Sequence, residues 1–228
     1  MLLSDTMRIG ILTDTHYSQS LDNFGPEPRA FFSTCDLILH TGDITAPAVL
    51  DWLEQFAPLL ALQGNHDTYP DARMLEFLAF ERERWRIGAI HIADDNRERP
   101  DRVAWMKYQS YRDGEYDILI AGDSHYERLD YEDHTLLLNS GSALIPHQSS
   151  HRLGLVALLE LTPDRGHAEL IRLGETPGLP NPSHIGHIDF DRNGPLTASF
   201  DGSPIPIEVR PTGPSIRWPG RYGPDDQL

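Results

Sequence analysis

The chain has 228 residues, of which 39% are hydrophobic and 24% charged, and its formal net charge is −16. This composition is typical of a globular protein with one core, and no apolar run reaches the ~20 residues of a membrane span. The negative charge disfavours binding to nucleic acid or to anionic membranes, because such binding depends on Lys and Arg.

The first half of the chain alternates apolar, β-forming runs with helical patterns. Strands are predicted over residues 7–12, 36–40, 59–63, 86–90 and 116–120. Helices are predicted just before residue 34 and over residues 46–56, 71–84 and 100–111. This alternation predicts parallel strands joined by right-handed crossovers.

The pattern changes after residue 125, where predicted strands follow one another closely. These strands cover residues 135–139, 153–161 and 168–173, and residues 163–166 have the composition of a hairpin turn. We expect a second, antiparallel sheet that packs against the first. The predicted fold class is therefore α/β: a four-layer α/β/β/α sandwich with two mixed sheets face to face and helices outside.

A C-terminal extension is predicted over residues 175–228, after a domain formed by residues 1–174. The extension holds 10 of the 18 prolines and 7 of the 18 glycines. Proline removes backbone donors and glycine raises the entropic cost of ordering, so we expect no long regular elements, with one short strand at 205–209. The extension is expected to wrap the domain or to form a homo-oligomer.

Polar clusters follow five of the predicted strands. They are Asp14-Thr15-His16, Gly42-Asp43, Gly64-Asn65-His66-Asp67, His91 and Gly122-Asp123-Ser124-His125. Ligands of α/β sheets collect at the carboxyl ends of strands, so we expect these side chains to converge. Nitrogen and oxygen ligands in this number are what two neighbouring divalent metal ions require.

This ordered set resembles the motifs of the calcineurin-like metallophosphoesterase superfamily, and its spacing is similar to that of the small prokaryotic phosphoesterases. The family motifs read D-x-H, GD, GNH[DE], a lone His and GHxH, and the resemblance covers residues 7–174. The same sandwich fold is implied by the resemblance. One position departs from the pattern, because Asp123 stands where the family has the first His of GHxH.

The resemblance implies two metal sites that share one carboxylate. Metal site one would consist of Asp14, His16, Asp43 and His125, and metal site two of Asp43, Asn65, His91 and Asp123. His66 would face the substrate, where it stabilises charge or protonates the leaving oxygen, and Asp67 would orient it. Asp123 adds an oxygen ligand, which favours harder ions. We expect Mn²⁺, with Fe, Ni, Zn and Mg as alternatives.

Two further histidines follow the segment Asn139-Ser140-Gly141-Ser142, which resembles the family's NPGS segment. His147 and His151 are therefore candidates for substrate contact. Either of them also remains an alternative metal ligand, should Asp123 not coordinate.

The predicted activity is hydrolysis of a small phosphoester by a hydroxide that bridges two metal ions. Phosphodiesters are favoured over phosphomonoesters, because His66 can protonate a poor leaving group and the reduced positive charge suits a monoanion. Two alternatives stay open: a non-catalytic protein-binding scaffold on the same fold, like the retromer subunit, and a nuclease of the same superfamily. The expected partner is a small phosphorylated substrate, with neither nucleic acid nor membrane. A single cysteine, Cys35, and an N-terminus without a signal-like pattern favour a cytoplasmic location.

Overall fold

The computed structural model describes residues 6–92 and 116–220, which form two large facing β-sheets and a short two-stranded sheet. The strands are β1 (Met7–Leu12), β2 (Leu37–His40), β3 (Leu59–Leu62), β4 (Met74–Leu75), β5 (Phe77–Arg82), β6 (Trp85–Ile90), β7 (Ile118–Ala121), β8 (Glu127–Glu132), β9 (Thr135–Ser140), β10 (Leu155–Leu161), β11 (Arg165–Arg172), β12 (Gly186–Asp191), β13 (Gly194–Phe200), β14 (Ser203–Pro204), β15 (Glu208–Arg210) and β16 (Gly213–Ser215). The described helices are α1 (Glu27–Phe32) and α2 (Pro47–Leu53), with 3-10 turns at Leu21–Phe24 and Pro146–Gln148.

Both large sheets are mixed, as predicted. The first sheet has the order β14-β13-β12-β11-β10-β1-β2-β3-β4, and the second has the order β5-β6-β7-β9-β8. Strands β1, β2 and β3 run parallel in the first sheet, and β6, β7 and β9 run parallel in the second. The predicted α/β sandwich of two facing mixed sheets is confirmed.

The main core lies between the two sheets. The first sheet contributes side chains such as Ile11 and Leu39, and the second contributes Ile87, Ile120 and Leu138. All of them are buried, and each contributes roughly 1.5–3 kcal/mol relative to an exposed side chain. The opposite face of the first sheet is covered by α1 and α2. This packing holds the carboxyl ends of the parallel strands in place.

The predicted helix over residues 71–84 is wrong. Residues 77–82 form β5, which pairs antiparallel with β6 from Phe77↔Ile90 to Arg82↔Trp85. Glu83 and Arg84, with φ of 49° and 68°, form the two-residue turn between them. Pairing with β6 in the second sheet therefore decides the structure of this segment, although its apolar residues have helical spacing. The predicted helix over residues 100–111 lies outside the described residues.

The prediction that the strands after residue 125 form a separate antiparallel sheet is also wrong. Strand β10 pairs antiparallel with β1 and carries β11 into the first sheet, while β9 pairs in parallel with β7 in the second. The physical reason lies in β10, whose side chains are almost all buried on both faces. Such a strand is stable only at the centre of a covered sheet. The hairpin between β10 and β11 is confirmed.

The C-terminal extension contains long regular strands, so the expectation that it would lack them is wrong. Strands β12 and β13 continue the first sheet beyond β11, and their alternate residues, such as Ile188 and Phe190, enter the main core. Further on, Ile216 pairs with Tyr131 of the second sheet, and the Trp218 side chain is buried. The short strand expected at 205–209 lies instead at β15. The extension thus runs from one sheet to the other.

Within residues 6–92 and 116–220, the helices are too short and too polar for any of them to cross a membrane.

Candidate metal centre

The loops that follow the parallel strands meet at one end of the sandwich. Backbone hydrogen bonds join them: Asp14 N–H donates to the Gly42 carbonyl at 3.0 Å, and Gly122 N–H donates to the His91 carbonyl at 3.0 Å. The first bond links the loops after β1 and β2, and the second links the loops after β6 and β7. Polar residues that are far apart in the sequence are thereby brought to one place, as the sequence predicts.

Most of the candidate ligands occupy a left-handed backbone conformation. The φ angles are 51° for Asp14, 44° for His16, 56° for Asp43, 70° for Asp123 and 63° for His125. Such values are uncommon outside glycine and cluster at functional sites. They turn Asp14 and His16 towards the same point, although the two side chains would alternate on an extended strand.

Two positions of the motifs must be glycine, because neighbouring groups lie too close to leave room for a Cβ atom. Gly42 has φ of +105°, and a Cβ at this position would clash with the imidazole of His91. A Cβ at Gly64 would clash with the backbone and carboxylate of Asp43. Any larger residue at either position would push a candidate ligand out of place.

The residues of metal site one lie close together. Asp14, His16, Asp43 and His125 offer ligand atoms that all lie within 4.8 Å of one another. The Nε2 atom of His16 is 3.2 Å from both Asp43 Oδ2 and His125 Nε2, and His125 Nε2 is 3.5 Å from Asp14 Oδ1. The Asp14 Oδ1 atom is buried and has no hydrogen-bond partner within the described residues. A divalent ion fits this donor set, because it would satisfy this oxygen and separate the two imidazoles.

The residues of metal site two also converge, although more loosely. His91 Nδ1 lies 2.6 Å from the Thr41 carbonyl, so it carries the proton and leaves Nε2 for a metal. That Nε2 lies 3.1 Å from Asn65 Oδ1, 3.3 Å from Asp43 Oδ1 and 3.8 Å from Asp123 Oδ1. Asp43 therefore presents Oδ2 to site one and Oδ1 to site two, as a bridging carboxylate does.

The charges of the cluster favour a cation. Burial raises the pKa of Asp14 to about 7. Burial also acts to raise the pKa of Asp43, but hydrogen bonds with His16 and His91 outweigh it and hold that pKa well below its ordinary value. For His91, burial opposes protonation, yet the neighbouring Asp43 and Asp14 raise its pKa to about 9. The carboxylates thus stabilise positive charge on the imidazole.

His66 lies at the mouth of the cluster. Its side chain is 63% exposed, and its Nε2 atom is 4.0 Å from Asp43 Oδ2. The ring meets that of His16 edge-on, with centroids 5.2 Å apart. This position leaves the His66 ring accessible beside the metal ligands.

Asp67 is buried behind the loops. Its Oδ1 accepts a hydrogen bond from Thr45 N–H at 2.6 Å, and its Oδ2 accepts one from Gly64 N–H at 2.8 Å. Among the described residues these backbone groups, and not the His66 ring, are its side-chain hydrogen-bond partners. Asp67 therefore joins the loops after β2 and β3.

Several residues support the candidate ligands, and Thr13 among them was not singled out from the sequence. Thr13 Oγ1 donates to Asp14 Oδ2 at 2.7 Å, and Ser142 Oγ donates to the Asp14 carbonyl at 2.7 Å. His40 is buried beneath the Gly42-Asp43 turn and accepts a hydrogen bond from Gly42 N–H at 3.2 Å. Burial lowers its pKa to about 3, so His40 is neutral. The sequence signal for Thr13 is only its position beside Asp14.

The two histidines considered for substrate contact have different partners. His151 Nε2 is 3.0 Å from the His16 carbonyl, next to metal site one. His147 Nε2 is 2.8 Å from Glu127 Oε2 and thus points at a buried carboxylate. Within the described residues, the metal-ligand group that includes Asp14 contains neither of them.

Comparison with known sequences identifies one family. A model of the calcineurin-like phosphoesterase superfamily domain matches residues 7–164. A probable metallophosphoesterase of Methanothermobacter thermautotrophicus is 32% identical over 168 residues, which cover 74% of this chain and 94% of that protein. A probable metallophosphoesterase of Methanocaldococcus jannaschii is 35% identical over 181 residues, which cover 76% of this chain and 85% of that protein.

Solved structures share the fold. Vacuolar Protein Sorting 29 from Cryptosporidium parvum matches with a TM-score of 0.64 at 17% identity, over 82% of this chain and 98% of that chain. The zinc complex of Vps29 from Entamoeba histolytica matches with a TM-score of 0.62 at 21% identity, over 82% and 100%. A predicted phosphoesterase from Streptococcus pneumoniae matches with a TM-score of 0.55 at 20% identity, over 83% and 99%. These likenesses confirm the architecture.

Proposed function

The chain belongs to the calcineurin-like phosphoesterase superfamily, and from this membership we propose that it hydrolyses a small phosphoester with the help of two divalent metal ions. The observation that carries the proposal is the position of Asp43. One of its oxygens lies 3.2 Å from His16 Nε2 and the other lies 3.3 Å from His91 Nε2. A carboxylate that joins two groups of ligands in this way is what a dinuclear site needs.

The ions would be held at the two sites defined above, and Mn²⁺ is our proposed metal. When bound, such ions neutralise phosphate charge and lower the pKa of water from ~16 towards neutrality. The remaining work falls to side chains of this chain. His91 and His125 keep Nε2 available because their Nδ1 atoms pair with the carbonyls of Thr41 and Ile145. His66 lies where it can donate a proton to the leaving oxygen.

The charge of the site supports a diester substrate. Asp14, Asp43 and Asp123 bring three carboxylates to two divalent ions, which leaves about +1 by formal counting, against about +2 with two carboxylates. A lower residual charge attracts a phosphate dianion less strongly. A phosphodiester carries a single negative charge and has a poor leaving group, which an acid at His66 would assist.

The scaffold alternative makes a distinct prediction about this site. A scaffold needs neither a complete set of candidate ligands nor an exposed histidine beside it. This chain keeps a candidate ligand at every motif position, with a carboxylate at Asp123, and has the exposed His66. For the nuclease alternative, the net charge of −16 opposes a polyanionic substrate. Both arguments support a hydrolase of small phosphoesters.

The test combines metal analysis with a substrate panel. Apoprotein is loaded with Mn²⁺, and elemental analysis is expected to return about two ions per chain. The loaded protein is then assayed with bis(p-nitrophenyl) phosphate and p-nitrophenyl phosphate, and the diester is expected to give the higher kcat/KM. Absence of bound metal, or bound metal without turnover of any phosphoester, would contradict the proposal. One ion per chain would locate the failure at metal site two.

Asp123 is expected to set the preference between diester and monoester. Asp123→His and Asp123→Asn each remove one negative charge, and both residues tolerate the φ of 70° at this position. We expect both variants to raise the monoester-to-diester ratio of kcat/KM, and Asp123→His also to retain Zn²⁺ more tightly. The control is Asp133→Asn, an exposed position with φ of 50° in the turn between β8 and β9. Unchanged ratios in both Asp123 variants would remove Asp123 from the site.

A further inference from the structure

The ring of His125 is oriented by a segment outside the five polar clusters. Its Nδ1 atom lies 3.0 Å from the Ile145 carbonyl, to which it donates its proton. In return, His147 N–H donates to the His125 carbonyl at 3.0 Å. The direction of His125 Nε2, which faces metal site one, therefore depends on where the segment 145–147 lies.

This segment is held in a conformation that needs support. His147 has φ of 52° and Gln148 has φ of 56°, both in the left-handed region. Such residues persist only where surrounding contacts stabilise them. The His147 ring stacks on Tyr126 with centroids 4.4 Å apart and planes 13° apart, and its Nε2 lies 2.8 Å from Glu127 Oε2. The ring centroid of His184 is 6.4 Å from that of His147.

Glu127 is a buried carboxylate with a different partner at each oxygen. It lies on β8 and is only 1% exposed. Its Oε2 meets His147, and its Oε1 accepts a hydrogen bond from His184 N–H at 2.7 Å. A buried carboxylate needs such partners, because it has lost its hydration. Glu127 thus connects the His147 turn to the C-terminal extension.

The partner residue in the extension is itself fixed. His184 Nδ1 is 2.7 Å from Asp201 Oδ2, and its ring lies over Phe200 with centroids 4.8 Å apart. His184 lies beyond residue 164, where the family match ends. His184 therefore contacts Glu127, which contacts the His147 side chain. The turn that contains His147 also contains the Ile145 carbonyl, which orients His125 of metal site one.

We propose that Glu127 is a positioning residue for metal site one and that it couples the C-terminal extension to His125. The inference rests on the proposed function, since it assigns His125 to a metal. Without the Glu127 carboxylate, the His147 turn loses the contact at Nε2 and relaxes from its left-handed conformation. The Ile145 carbonyl then moves, and His125 no longer holds its proton on Nδ1. Supporting residues of this kind commonly contribute 10–100-fold to metal affinity.

The experiment measures metal binding directly in the full chain. Mn²⁺ is titrated into apoprotein and free Mn²⁺ is followed by electron paramagnetic resonance, while Co²⁺ absorption reports the ligand geometry. Glu127→Ala is expected to weaken binding at one site by about 10–100-fold and to change the Co²⁺ spectrum. His147→Asn tolerates the left-handed backbone but is too short to reach Glu127, so it is expected to act in the same direction. If Glu127→Ala fails to fold, His147→Asn still tests the proposal.

Asp130→Asn is the matched control. Asp130 is a second buried carboxylate on β8, and its Oδ1 accepts a hydrogen bond from Trp218 N–H of the extension at 2.5 Å. It is expected to weaken only the contact at Trp218, and not the one at His184, so Mn²⁺ affinity should stay at the parental value. If Asp130→Asn and Glu127→Ala weaken Mn²⁺ binding equally, the cause is general destabilisation, and the proposal is overturned. Parental affinity and Co²⁺ spectra in both Glu127→Ala and His147→Asn would also overturn it.

A metal-free measurement separates this proposal from the proposed function. If the parent chain binds no Mn²⁺, the proposed function fails. The ¹⁵N chemical shifts of the His125 ring then still report its tautomer. The parent is expected to carry the proton on Nδ1, and the two variants to show a mixture. Identical shifts in parent and variants would overturn the positioning role.

Discussion

Replacement of His66 by alanine is expected to leave the metal content unchanged and to lower kcat by about 10²–10⁴-fold. The His66 side chain is 63% exposed and lies 4.0 Å from Asp43 Oδ2, outside the metal-ligand group that includes Asp14. In the proposed mechanism, its loss would remove the group that protonates the leaving oxygen without removing a ligand. Elemental analysis and steady-state kinetics with bis(p-nitrophenyl) phosphate measure the two quantities separately.

The leaving group sharpens the test of His66. If this residue protonates the leaving oxygen, the loss in His66→Ala should be smaller for diesters with good leaving groups than for alkyl diesters. His134→Ala, which removes an exposed histidine from the turn between β8 and β9, is the control and should behave as the parent. A His66→Ala variant that loses metal would make His66 a ligand, and parental turnover would remove it from catalysis.

Replacement of Asp43 by asparagine is expected to cause the largest loss, because the two proposed metal sites would share this carboxylate. The change keeps the size of the side chain and an oxygen that can accept the hydrogen bond from His66 N–H, which is 2.9 Å in the parent. It removes the negative charge between His16 and His91. Metal content should fall from about two ions to fewer than one per chain. Activity should fall by more than the roughly 10–100-fold typical of a supporting residue.

The comparison for Asp43→Asn is Asp51→Asn, at an exposed carboxylate on α2. Circular dichroism of both variants checks that the fold persists, so that metal loss is not the result of unfolding. A two-ion stoichiometry in Asp43→Asn would show that the ions are held without a bridge. Loss of one ion only would assign Asp43 to a single site.

The candidate site was predictable because its signals are local. Short apolar runs rich in β-formers identify the strands, and the polar clusters stand directly after them in the sequence. Parallel strands place their carboxyl ends on one side, so convergence within each sheet follows from strand order. That the clusters of the two sheets also meet depends on how the sheets pack against each other. Gly42 and Gly64 belong to the same local signal, since only glycine lets the backbone pass so close to His91 and Asp43.

The errors all concern strand pairing, which the spacing of apolar residues within one segment does not reveal. Residues 71–84 have apolar side chains at helical spacing, yet β5 pairs with β6 because that pairing buries Leu78 in the main core. Strand β10 joins β1, more than 140 residues earlier in the chain, rather than a neighbour in sequence. In the extension, prolines and glycines predict irregular structure, but the free edge of β11 offers hydrogen bonds that β12 takes up.

By itself, the sequence determined the strands that precede the candidate site, the candidate metal ligands and the acidic net charge. Those properties depend on neighbouring residues along the chain or on composition. Only the tertiary structure decided which sheet each later strand joins, that Asp67 holds the loops rather than the His66 ring, and that Glu127 links His184 to the support of His125. These contacts depend on free energies of packing and hydrogen bonding between segments far apart in sequence, which leave no periodic pattern in the chain.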